Sequence, residues 1–226
     1  MNDWNLPLWQ NVVERLRRGA MPHALLLAGP AGLGKRAFAS QLVAFLLCEA
    51  RGDVACGRCR GCLLVKAGSH PDRAGVELEL RDDGKLRTEI VVEQIRVLSS
   101  RLAMTAQFGG FQVATIDPAD LMNTAAANAL LKTLEEPGAG TVMILISDAP
   151  SRLPATIRSR CQRLDFALPD RAAAIAWLKA QGLADPDVAL DAAAGNPGVA
   201  LELARGDGLA LRAEVAKDLS ALWAGK

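Results

Sequence analysis

Tyrosine is missing from the chain altogether, and five phenylalanines and four tryptophans are its only other rings of that kind. So few aromatics exclude stacking platforms for single-stranded nucleic acid as a main binding mode. Charge of one sign is lacking too: 26 basic residues stand against 25 acidic ones, a formal net charge of +1. No global basic field marks a nucleic-acid binder, so any DNA contact must be local or shared among subunits. No apolar run reaches the roughly 18 residues of a membrane span. Met1 to Leu8 lacks a signal-peptide pattern, and the expected location is the cytoplasm. Cysteine is sparse but uneven: Cys48, Cys56, Cys59 and Cys62 cluster, while Cys161 stands apart. In a reducing compartment such clustering favours a metal over disulfides.

What is present is an ordinary globular balance, 50% apolar and 23% charged over 226 residues, enough for one large domain or a medium one plus a small one. The first part alternates apolar strands with helical patterns, the signature of an α/β fold with a parallel sheet. Strands are expected at residues 23–28, 75–80, 111–116 and 141–147, the second closed by a turn at Asp82-Asp83-Gly84. Helices are expected from Lys35 to about Cys48, along Val91, Ile95, Leu98 and Leu102, and from Thr124 to Glu135, where Pro137 stops the last. After about Phe166 strands vanish and Ala-rich helical segments take over. The expected division is 1–166 for the α/β domain, with a metal module at about 48–62, and 167–206 for a small all-helical lid. A further helix runs from about Leu209 to Trp223.

Gly29-Pro30-Ala31-Gly32-Leu33-Gly34-Lys35 fits GxxxxGK between an expected strand and an expected helix, the context a phosphate loop requires. Its amides can cradle phosphates at a helix N-terminus, and Lys35 can reach the outer phosphates. A Gly-rich turn that binds nothing is the plain alternative. Arg36 follows where the full motif has a Mg²⁺-ligating Ser or Thr, and a guanidinium has no acceptor to offer a metal. Asp117 ends the third strand where a second, Mg²⁺-orienting carboxylate belongs; as a simpler reading it only caps the strand. Pro118 follows where an active ATPase of this class carries a Glu to position water, and Pro has no acid–base group. The residues therefore support weak binding of ATP or ADP, with little Mg²⁺ dependence, better than hydrolysis.

Cys56-Gly-Arg-Cys59-Arg-Gly-Cys62 is a pair of overlapping CxxC steps, and Cys48 lies eight residues earlier. Four thiolates suit tetrahedral Zn²⁺ in a closed structural site. An iron–sulfur cluster or plain reduced thiols are the alternatives, since three cysteines in this spacing also serve iron.

The phosphate loop, the CGRCRGC knuckle, Ser69-His70-Pro71-Asp72, the run Leu130-Leu-Lys-Thr-Leu-Glu-Glu-Pro137, and Ser159-Arg160-Cys161 occur in that order. Together they resemble the delta-prime subunits of bacterial DNA polymerase III clamp loaders, over about residues 9–206. The resemblance implies an AAA+ fold with an inserted zinc module, a helical lid, and a helical collar whose first helix begins in 207–226, so that the chain is a truncated form, expected to be monomeric alone. It implies a non-catalytic stator beside gamma/tau and delta subunits, helping place the sliding clamp on primed DNA. It also implies that Arg160 is an arginine finger for a neighbour's ATP site. A nucleotide-sensing arginine of active relatives falls on Gly198 here, a third loss beside Arg36 and Pro118. A self-sufficient gamma/tau-type ATPase is the alternative; an unrelated P-loop kinase or a zinc-dependent nucleic-acid adapter accounts for fewer of these motifs.

Other residues have plainer expected roles. His70 is a turn residue beside Pro71, Lys132 a solvated or ion-paired helix position, Cys161 a buried thiol, and Trp4, Trp9, Trp177 and Trp223 packing residues.

Overall fold

The computed structural model describes residues 2–81 and 83–223; Asp82, within the expected turn, lies outside them. Along the chain run α1 (Leu6–Arg17), β1 (Ala24–Ala28), α2 (Lys35–Leu46), α3 (Arg60–Lys66), β2 (Arg73–Val76), α4 (Val92–Leu102), β3 (Gln112–Ile116), α5 (Thr124–Glu135), β4 (Thr141–Ser147), α6 (Ala155–Arg158) and β5 (Gln162–Asp165). Four helices follow: α7 (Arg171–Ala180), α8 (Pro186–Ala192), α9 (Pro197–Arg205) and α10 (Gly208–Trp223). Among the described residues no helix is long and apolar enough to cross a membrane.

The strands form one parallel sheet in the order β2-β3-β4-β1-β5. β1 and β4 lie inside it and are buried along their whole length, which is why both read as unbroken apolar runs rather than alternating ones. Alternate residues face opposite sides. Ala24, Leu26 and Ala28 join Ile116, Leu145 and the inward faces of α4 and α5, including Ile95, Leu98, Leu102, Leu130 and Leu134, in one apolar cluster. Elsewhere in the same unit Trp9 of α1 packs on Phe38 and Phe45 of α2, with ring centroids 5.6 and 5.2 Å apart, and Phe38 meets Phe166 at 5.3 Å.

Local chemistry sets the helix ends. Asn123 caps α5 by accepting from the Ala126 N–H at 2.9 Å, and Asp170 caps α7 by accepting from the Ala173 N–H at 2.8 Å. Asn196 caps α9, accepting from the Gly198 and Val199 amides, with Pro197 in the first helical position where its missing N–H costs nothing.

The second strand is displaced from its expected place. Residues 75–80 alternate like a strand, but pairing with β3 ends at Val76. Beyond it Leu80 is 68% exposed and meets Leu86 in an isolated antiparallel bridge. Alternation marked extended backbone correctly; it did not reveal which residues had a neighbour to pair with. Trp223 is a second correction: it is 93% exposed at the end of α10 rather than packed.

By its contacts the chain forms two compact units: residues up to 30 with 35–166, and residues 31–34 with 167 onward. The first holds the sheet. The second has its own apolar centre of Ala174, Leu178, Ala189, Leu190 and Ala200, against which Leu201 and Leu209 pack.

Candidate metal centre and phosphate loop

The cysteine module grows from the end of α2. Arg51 donates to the carbonyls of Leu46 and Cys48, both at 3.0 Å, satisfying acceptors the helix leaves open and fixing the turn that carries Cys48. Cys59 caps α3, its Sγ accepting from the Cys62 N–H at 3.4 Å, which places Cys62 in the first turn. The Cys59 N–H points at Cys56 Sγ and the Cys56 N–H at Cys48 Sγ, at 3.4 and 3.3 Å. Gly61 is needed for the close approach: a Cβ there would lie 2.4 Å from the Leu47 carbonyl oxygen.

The four Sγ atoms lie within 4.8 Å of one another, with Cys48–Cys59 at 3.9 Å and Cys56–Cys62 at 4.0 Å. Ligands at a Zn–S distance of about 2.3 Å on a tetrahedron are about 3.8 Å apart, so the set fits Zn²⁺ after a small tightening. The electrostatics agree. The Cys62 N–H pulls the Cys59 thiol down to about 6, while burial pushes Cys62 up to about 12. Four adjacent thiols do not ionise together unaided, and a bound divalent cation would supply the missing charge.

The phosphate loop follows β1, and α2 begins at Lys35. Lys35 is 2% exposed and turns back over its own loop. Its Nζ donates to the Gly29 carbonyl at 2.6 Å and the Pro30 carbonyl at 2.5 Å, and pairs with Asp148 Oδ1 at 2.6 Å. Arg36 donates to both oxygens of Asp117, each at 2.8 Å, and to Asp148 Oδ2 at 3.0 Å. Two cations and two carboxylates thus form one neutral set. Burial lowers Lys35 from the usual lysine range, an effect Asp148 only partly offsets. Burial likewise lifts Asp117 above the ordinary carboxylate range, against the pull of Arg36. Burial would also lift Asp148, but its pairs with Lys35 and Arg36 outweigh this and hold it low.

Residues 31–34, the tip of the loop, belong with the helical unit. Asn196 Nδ2 donates to the Ala31 carbonyl at 2.8 Å. A Cβ on Gly32 would sit 2.7 Å from Asn196 Oδ1, and one on Gly198 would sit 2.2 Å from the Gly32 carbonyl oxygen. Gly198 therefore has no room for a side chain in this packing. Its lack of one lets the start of α9 rest on the loop backbone.

Sequence reasoning named Gly29, Pro30, Gly32, Gly34, Lys35, Arg36 and Asp117, and missed Asp148. A signal was available: Asp148 follows β4, which neighbours both β1 and β3, and ligand sites of parallel sheets lie beyond the carboxyl ends of such strands. Arg160 sits between α6 and β5, apart from this set. Its Nη2 pairs with Glu135 Oε1 at 2.6 Å, its Nη1 donates to the Thr156 carbonyl at 2.9 Å, and its side chain is 35% exposed. Glu135 was not anticipated either. His70, read as a turn residue, is buried, with Nδ1 accepting from the Asp72 N–H at 3.1 Å and its ring against Phe108. Cys161 is half-buried, and that burial pushes its thiol up to about 11.

A five-stranded parallel sheet, a GxxxxGK loop after its inner strand β1 and a trailing helical unit define a P-loop domain of the AAA+ type. The RuvB Holliday junction branch migration motor of Thermotoga maritima has this fold with a TM-score of 0.55, at 16% identity, over 91% of this chain and 61% of that one. More particularly, the chain belongs to the family described as DNA polymerase III, delta subunit, whose profile matches residues 4–170. It is 46% identical over 176 residues to the DNA polymerase III subunit delta' of Pseudomonas aeruginosa, covering 77% of this chain and 51% of the relative. It is 39% identical over 208 residues to that of Escherichia coli K12, covering 90% of this chain and 61% of the relative. The chain thus spans between half and two thirds of the length of these relatives.

Proposed function

We propose that the chain is a non-catalytic stator of a DNA polymerase III clamp loader, working in the cytoplasm with gamma/tau and delta subunits to place the sliding clamp on primed DNA. The observation that carries the reading is the neutral set of Lys35, Arg36, Asp117 and Asp148. The arginine occupies the carboxylate a Mg²⁺ ion would need, and Pro118 has no group to activate water. ATP or ADP binds weakly and without much help from Mg²⁺, and the chain does not turn it over. Zn²⁺ on Cys48, Cys56, Cys59 and Cys62 is structural, because four protein ligands leave no open position. Residues 167–206 act as a lid, and those from 207 begin a collar.

In this reading the chain's contribution to ATP hydrolysis is Arg160, given to a neighbour. An arginine finger stabilises charge on the transferred phosphoryl group and is worth about 10³–10⁵ in rate in GTPases. The Glu135 pair and the Thr156 carbonyl hold the guanidinium beside the short helix α6 until a phosphate competes for it. An exposed ion pair of this kind contributes little to folding, so removing it leaves the domain intact. The test is a reconstituted loader in which only this subunit is varied. Arg160→Ala should lower clamp- and DNA-stimulated hydrolysis through loss at one site, with zinc content and melting unchanged, and Arg158→Ala should serve as the control. Equal rates for wild type and Arg160→Ala remove the finger from the account.

A further inference from the structure

We infer that Asp148 sets the affinity of the phosphate loop: its carboxylate is an internal anion, held by Lys35 and Arg36, that an incoming polyphosphate must displace. The inference rests on the reading above that nucleotide binds only weakly, and it names the residue responsible.

An ammonium group has three N–H donors. Lys35 has three oxygen neighbours within 2.6 Å, the Gly29 and Pro30 carbonyls to which it donates and Asp148 Oδ1 with which it forms an ion pair, and the side chain is almost wholly buried. Two of the three belong to the loop itself and stay with it. Asp148 is the only one contributed by another element, so a phosphate oxygen gains Lys35 by taking the place of Asp148. The second carboxylate oxygen strengthens the hold, since Oδ2 pairs with Arg36. Asp148 is in turn fixed from behind, its backbone N–H donating to Asp120 Oδ1 at 3.0 Å. With two positive and two negative charges balanced, these four side chains add no net charge to draw a polyphosphate.

Arg36 is not the cation that loss of Asp148 sets free. It is already held by both oxygens of Asp117, so losing Asp148 leaves it paired, whereas Lys35 loses the one ion pair it makes among the described residues. An uncompensated buried ammonium is the group that a phosphate would most stabilise. Asp148 keeps 28% of its side chain exposed, so replacing it makes no cavity in the core.

The experiment titrates ADP, in buffer without Mg²⁺, into the zinc-loaded chain as wild type, Asp148→Asn and Asp148→Ala, with Lys35→Met/Asp148→Asn as background. Both single variants should bind ADP about tenfold more tightly or better, as expected if a loop free of its internal anion is populated in about a tenth of wild-type molecules or fewer. The double variant should lose the gain. Wild type with no detectable binding beside variants that bind supports the inference and corrects the weak-binding reading. Folded variants that bind no better than a weakly binding wild type overturn the inference and leave that reading standing; no binding by any of them overturns both. A gain that survives in the double variant also overturns the inference. A measurement on the wild type needs no variant to fold: an amine-acylating reagent should modify Lys35 far more slowly than exposed Lys132, and equal rates overturn the inference.

Discussion

In the cysteine cluster, four thiols face one another across the edges of a tetrahedron, and the nearest donors are backbone N–H groups of the same knuckle. At the phosphate loop, the lysine that gives the motif its meaning is closed on its own loop and on a carboxylate from another strand. Both stretches carry a well-formed motif. The difference lies in where each motif's partners come from. The cluster is nearly self-contained in residues 48–62, so its own spacing decides its geometry. The lysine and arginine of the loop are instead partnered by Asp117 and Asp148, which lie far along the chain.

The comparison is broken most severely at the cluster. Cys59→Ser removes one of the four proposed zinc ligands, while the serine hydroxyl can still cap α3. It should release zinc and lower the melting temperature by about 10 °C, at roughly 2–4 °C per kcal/mol for a chain of this size. Elemental analysis and calorimetry check it; iron in the wild-type protein, or an unchanged melting point after chelation, would contradict a structural zinc site.

A smaller effect is expected where the helical unit holds the loop tip. Gly198→Ala puts a Cβ against backbone atoms of Gly32, which no rotamer change relieves. The cost should be about 1–3 kcal/mol, the usual range for overpacking. Gly206→Ala, in the same unit with its nearest neighbour 3.6 Å away, is the control and should melt like wild type. Equal melting for the two variants would show that the loop tip yields easily, and that Gly198 is not held by close packing.

Legibility in the sequence follows the same division. Sheet strands β1, β3 and β4 were readable because central parallel strands are largely apolar, and α5 because a proline ends an Ala- and Leu-rich run. Strand β2 was misplaced because extended backbone looks alike whether or not a neighbour pairs with it. The cysteines were readable by count and spacing. The losses at Arg36, Pro118 and Gly198 were visible as departures from a pattern, but their consequences were not. That Arg36 would bind Asp117, and that Gly198 would lie on Gly32, depends on strand order and on the packing of α9. Asp148 matches no motif, and only the juxtaposition of β4 with β1 gives it a role.

Hydrolysis of Mg²⁺-ATP by the chain alone, compared with Lys35→Met, tests most directly whether the loop is a closed remnant of an ATPase site. The account predicts the same background rate for both. A turnover that disappears in Lys35→Met would contradict it, because the lysine would then be reaching phosphate rather than Asp148.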